Sequence, residues 1–308
     1  MIWLVLLRLL AMSANAAVTA TTWRRLNDAN FMIYFQNDDA RNAQRVLDQL
    51  QAAYRRLSHE LDVQISDSIS VFLTPSQQIY DQFAGQRIPR WSDGLASPGR
   101  NTIILKSPRW MPPETDHAAI AVHELTHLLL HHAAKGQPIP RWLNEGLAIY
   151  YSGEKEFTAT TLVSKALATN SLIPLDEIDK VLDFHRSKAQ LAYQQSHLAV
   201  EYLIRNYGHD AVKNIIHKIG AGLDADQAFL DVLQGDIWDF EDEWLADVKH
   251  KFRWHFLVEI DSYLWLIILL LFVIGFIIIR RRNRRLMESW QEEEELAEPW
   301  SNTDSNMP

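Results

Sequence analysis

Residues 121–132 read Ala-Val-His-Glu-Leu-Thr-His-Leu-Leu-Leu-His-His. His123 and His127 stand four apart, and Glu124 directly follows the first of them. On an α-helix such positions differ by about 40° around the axis and lie one above the other, so two imidazoles can converge on one ion. Glu124 is turned about 100° from His123. That is too far to ligate comfortably beside both rings, but it can reach a water held on the ion's open side. The pattern therefore encodes two ligands and a base. This is the set by which zinc acidifies a water and a carboxylate takes its proton. The same letters on a core helix with incidental histidines would do no chemistry, so the choice depends on what else the chain supplies.

Catalytic zinc usually has three protein ligands and a water. The stretch Arg-Trp-Leu-Asn-Glu-Gly-Leu-Ala-Ile-Tyr-Tyr over 141–151 offers Glu145, eighteen positions after His127. Trp142, Leu143, Leu147 and Ile149 surround it, which predicts a helix packed into the core. A carboxylate buried there needs a partner, and a zinc ion would be one. His131 lies on nearly the same face as His127, but Glu145 is the better third ligand. His131 and His132 read as solvated or supporting residues. The chain has no cysteine, which excludes disulfides, thiolate zinc sites and cysteine nucleophiles. Its net charge of −9 leaves no broad basic surface, so no nucleic-acid partner is expected.

The elements that must position these residues can be read from periodicity. Residues 30–36, 68–74 and 101–107 are rich in β-branched and aromatic residues and predict strands. Between the first two, Ala43, Val46, Leu47, Leu50, Tyr54 and Leu57 recur at helical spacing over 38–61. Pro75 opens a short helix to Phe83. The histidine-bearing helix spans about 115–136, with Thr115 or Asp116 able to cap it and Gly136 able to end it. Further helices are expected over 158–168, 186–206, 210–219, 224–233 and 237–254. The fold class is α+β, with a mixed α/β first half carrying the active-site helix and a helical second half.

The two ends carry different signals. Residues 1–16 read as a secretory signal peptide, with Ala14-Asn15-Ala16 at its cleavage site and Arg8 interrupting its apolar core. Tyr263–Ile279 is uncharged and is followed by Arg280, Arg281, Arg282, Arg284 and Arg285. This predicts one transmembrane helix over 261–279, with the arginines on the cytoplasmic side. The folded domain, 17–260, would then lie outside the cytoplasm, periplasmic in a Gram-negative bacterium. Residues 280–308 would form a disordered cytoplasmic tail. These expectations make the protein a single-pass protein of the cell membrane.

His-Glu-Leu-Thr-His followed by Pro-Arg-Trp-Leu-Asn-Glu-Gly-Leu-Ala resembles the gluzincin metallopeptidases, most closely the peptidase-MA-like group. The second piece is also similar to a motif of the M1 aminopeptidases. The resemblance extends to residues 192–208 and 226–248, which look like the group's later helices. It implies a zincin-like fold, with His123, His127 and Glu145 as ligands to Zn2+, Glu124 as general base and a peptide or protein as substrate. It also implies that Tyr193 hydrogen-bonds the developing oxyanion, while His197, four positions on, reads as a surface residue. Substrate would lie along 102–107. Two departures are informative. The Gly-x-Met-Glu-Asn stretch that holds a free amino terminus in M1 enzymes is absent, which favours an endopeptidase. Thermolysin-like enzymes place an aspartate four positions after the ligand glutamate, where this chain has Ile149. A zinc-binding adaptor without hydrolytic activity is the alternative, but it gives Glu124 no role; a metal-free scaffold must treat the whole constellation as coincidence.

Overall fold

The computed structural model describes residues 23–85, 92–154, 157, 160–252 and 261–301. The expected signal peptide, 1–16, lies outside the described residues. The chain divides into two units, residues 1–248 and 249–308.

The first unit is built on a five-stranded sheet. Its strands are β1 (Arg24–Asn27), β2 (Phe31–Phe35), β3 (Ile69–Thr74), β4 (Gly94–Ser97) and β5 (Thr102–Lys106), in the spatial order β1-β2-β3-β5-β4. The inner three strands are parallel and the two edge strands antiparallel. Parallel neighbours need a crossover, and helix α1 (Ala40–Glu60) supplies it between β2 and β3. Ile33, Val71 and Ile103 are register partners across the inner strands and are fully buried. On the same face Phe31 meets Tyr54 of α1 edge to face at 5.8 Å. The other face carries an aromatic cluster, in which Tyr34 stacks on Phe72 at 4.7 Å and Trp23 and Phe83 pack against Phe72.

Helix α2 (Gln77–Ala84) precedes the sheet's far edge, and helix α3 (His117–Ala133) follows β5. The Asp116 side chain caps α3 by accepting from Ala119 N at 3.1 Å. Leu125, Leu128, Leu129 and Leu130 are all fully buried, so α3 is packed on most of its circumference. Helix α4 (Arg141–Ser152) lies against α3 on one side and α6 (Arg186–Gly220) on the other. Helices α5 (Thr161–Ala168), α7 (Ala225–Leu233) and α8 (Ile237–Phe252) complete the helical half. Trp142 anchors α4 to it, stacking on Phe240 at 5.4 Å. The helices expected over 186–206 and 210–219 run on as α6, broken at Gly208, whose φ of 83° is non-helical. The α+β reading and the three inner strands agree with the structure; the edge strands β1 and β4 were not anticipated.

The second unit contains helix α9 (Asp261–Ser301). The expected transmembrane helix over 261–279, and with it the single-pass location in the cell membrane, is overturned here. Among the described residues no helix is long and apolar enough to cross a membrane. Length is the physical reason: the uncharged run 263–279 rises about 26 Å at 1.5 Å per residue, against a hydrocarbon core of about 30 Å. The arginines continue within the same helix. The tail expected to be disordered is helical as far as Ser301, with an Arg284–Glu288 pair at 3.3 Å one turn apart.

Candidate metal centre

Two helices and one strand edge build the site. His123 and His127 stand one turn apart on α3, their ring centroids 4.8 Å apart. From the facing helix α4, Glu145 brings Oε2 to 3.5 Å from His123 Nε2 and 3.6 Å from His127 Nε2. One ligand atom from each of the three residues lies within 4.8 Å of the other two. The close contact of α4 with α6 depends on Gly146. A Cβ there would sit 2.3 Å from the Ser196 carbonyl oxygen, so only glycine lets Glu145 come this far in.

The far ends of the three side chains each face a polar group. Asn144 Oδ1 lies 2.7 Å from His127 Nδ1. Arg141 Nε lies 3.0 Å from Glu145 Oε1, the carboxylate oxygen that does not face the histidines. Glu154, just past the end of α4, places Oε1 3.4 Å from His123 Nδ1. Sequence reasoning missed all three; Arg141, four positions before Glu145, stands at a helical pairing distance that could have found it, whereas motif spacing does not point to Asn144 or Glu154.

Electrostatics suit a cation. Burial opposes ionisation of Glu145, yet His127, His123 and Arg141 bring its pKa down to about 2. Burial lowers the pKa of His127, with Glu145 only partly opposing it, so this imidazole favours the neutral, ligating form. Burial also pulls His123 down, but the carboxylates of Glu154 and Glu145 outweigh it and raise its pKa. Glu124, Glu145 and Glu154 thus crowd one place with Arg141 as the permanent cation beside them. A proton on His123 offsets part of that charge, and a divalent ion held by the same nitrogens and oxygen would offset more. The donor set fits a metal ion.

Glu124 lies beside the ligands and against the sheet edge. It is buried, and its pKa is pushed up to about 7 by burial first, against the opposing pull of His123, with Glu145 and Glu154 adding to the rise. Its carboxylate accepts a backbone hydrogen bond from Ala96 of β4. A Cβ at Gly94 would come within 2.8 Å of Glu124 Cγ and Oε1, so the strand passes close enough only as glycine. The strand at this edge is β4; β5, expected to hold substrate, is paired on both sides and has no free edge. The Gly94 carbonyl is taken by Tyr80 Oη at 2.9 Å.

Tyr193 of α6 is buried, its ring 5.1 Å from that of Phe157. Burial, then the charge of Glu145, raises its pKa, so it stays a neutral phenol. His131 and His132 are not in the cluster: His132 Nε2 meets Asn101 Oδ1 at 2.6 Å and His131 lies beside Gly136. His197, expected on the surface, is buried, 6.4 Å from the Tyr150 ring.

A mixed sheet whose edge strand passes beside a helix carrying two convergent histidines is the frame of a metallopeptidase-like protein. The sequence agrees: the family profile of the peptidase MA superfamily matches residues 49–250, well over half of the chain, and the chain belongs to that superfamily. Comparison with curated proteins finds no match.

Proposed function

We propose that the protein is a zinc-dependent endopeptidase. The observation that carries this reading is the convergence of Glu145 Oε2 on the Nε2 atoms of His123 and His127, with the buried carboxyl group of Glu124 beside it. Two imidazoles and one carboxylate suit zinc, and three protein ligands leave a position open. When bound there, the ion supplies a Lewis acid that polarises the peptide carbonyl and acidifies water.

The chain's own groups do the rest. Glu124 takes a proton from the attacking water as its oxygen adds to the carbonyl carbon. It then gives that proton to the departing amine nitrogen as the C–N bond breaks. Tyr193, neutral at physiological pH, donates a hydrogen bond to the oxyanion. The substrate main chain lies along the outer edge of β4, where main-chain hydrogen bonds hold a polypeptide without selecting its side chains. The missing amino-terminal anchor in the sequence is the reason for preferring internal bonds.

Metal analysis of the purified full chain tests this. The wild type is expected to hold about one zinc per chain, Glu145→Ala to lose most of it, and Glu124→Gln to keep it while peptide hydrolysis drops roughly 10²–10⁴-fold. Zinc with full activity in Glu124→Gln would remove the base. Absence of zinc from the wild type after loading would remove the enzyme altogether.

A further inference from the structure

A ligand is only as well placed as its other end. His127 has Asn144 at 2.7 Å on its Nδ1. Arg141 holds Oε1 of Glu145 and leaves Oε2 facing the histidines. For His123 the place four positions after Glu145, from which a carboxylate would be sought, holds Ile149, which is fully buried in the core. The Nδ1 of His123 is itself buried and has no hydrogen-bond partner at ordinary geometry. The polar atom that faces it is Glu154 Oε1, 3.4 Å away.

We propose that Glu154 is the positioning residue for His123, accepting its Nδ1–H so that the Nε2 lone pair is fixed on the ion; this rests on the metal-site reading above. Glu154 reaches the ring because α4 ends at Gly153 in the left-handed region, with φ 69° and ψ 28°. A Cβ at Gly153 would meet nothing within 4 Å, so the glycine is needed for its backbone angle alone. The turn it makes brings the next side chain back towards α3. The Glu154 side chain is only 12% exposed, so it is not a solvated surface acid. An imidazole that ligates through Nε2 must carry its proton on Nδ1, and a buried N–H is costly without an acceptor. Helix α4 and its C-terminal turn thus provide one ligand and the supports of all three.

The test is zinc affinity of the full chain, measured by competition with a chromophoric chelator, for wild type, Glu154→Ala, Glu154→Met and Glu154→Gln. Loss of the acceptor is expected to weaken zinc roughly 10–100-fold in Ala and Met, with Gln, which keeps a carbonyl oxygen, close to wild type. In the zinc-loaded wild type the His123 Nδ1–H proton should be visible by NMR and slow to exchange; in Ala and Met it should vanish into solvent. Met matches Glu in length and guards against an Ala variant that fails to fold. Wild-type affinity in Ala or Met overturns the proposal while leaving the metal site standing. A wild type that takes up no zinc overturns both.

Discussion

Glu124 shows what position does to a single group. In the unfolded chain its pKa is near 4.5, and in the fold it is about 7. Between those values the native state keeps a proton that the unfolded state releases. Stability from this group is therefore intact below about pH 4.5 and is lost as pH rises through 7. In the metal-free protein, Glu124→Gln should be more stable than wild type at pH 8, by up to about 3 kcal/mol, with the advantage fading towards pH 5. Chemical denaturation of both chains after chelation checks this; a difference that does not change with pH would show that Glu124 ionises normally. His123, Glu124 and His127 were legible because a helix turns sequence spacing directly into geometry. Glu145 was legible because a charged residue amid apolar ones demands a partner. Asn144 and Glu154 were not, since each acts across the gap between α3 and α4 on a ligand's far side, where no spacing rule applies; Arg141 stands four positions before Glu145, a helical pairing distance, and was passed over. Asn144 adjoins the ligand and Gly153 signals a helix end, which are local hints to the other two.

At the scale of elements, α4 decides whether the site exists. Its approach to α6 leaves no room for a methyl group at Gly146: the added Cβ would also lie 2.6 Å from Val200 Cγ2. Gly146→Ala must push the helices apart. It should cost about 1–3 kcal/mol of stability and, by moving Glu145, weaken metal binding in those molecules that fold. Urea unfolding with and without zinc separates the two effects, and wild-type values in both would mean that the helices can part without disturbing the site. The inner strands were readable because each carries several β-branched or aromatic residues at alternate positions. The edge strand β4, Gly-Leu-Ala-Ser, has four residues and almost no such bias. Its place is set by pairing with β5 and by the fit of Gly94 against Glu124, so the sequence reading assigned the substrate to β5 instead.

For the whole molecule, every residue of the site lies in the first unit, which ends at Val248, and the superfamily match ends at residue 250. The second unit is of a different kind. From Trp265 to Ile279 the side chains of α9 are largely exposed, with Leu271 at 62% and Phe272 at 73%. A continuous apolar surface of that length is far beyond what proteins commonly leave in water. Among the described residues no helix is long and apolar enough to cross a membrane. Separating the two roles is a matter of truncation. A chain ending at residue 252 should keep its zinc stoichiometry and its thermal stabilisation by zinc, about 2.7 kcal/mol at a free concentration one hundred times Kd. It should remain monodisperse in detergent-free buffer, whereas the full chain should self-associate through the 265–279 surface. Sedimentation velocity and zinc titration on the same samples decide it. If the truncated chain loses zinc, the second unit is needed to build the site; if it self-associates as strongly as the full chain, the interacting surface lies on the peptidase unit itself.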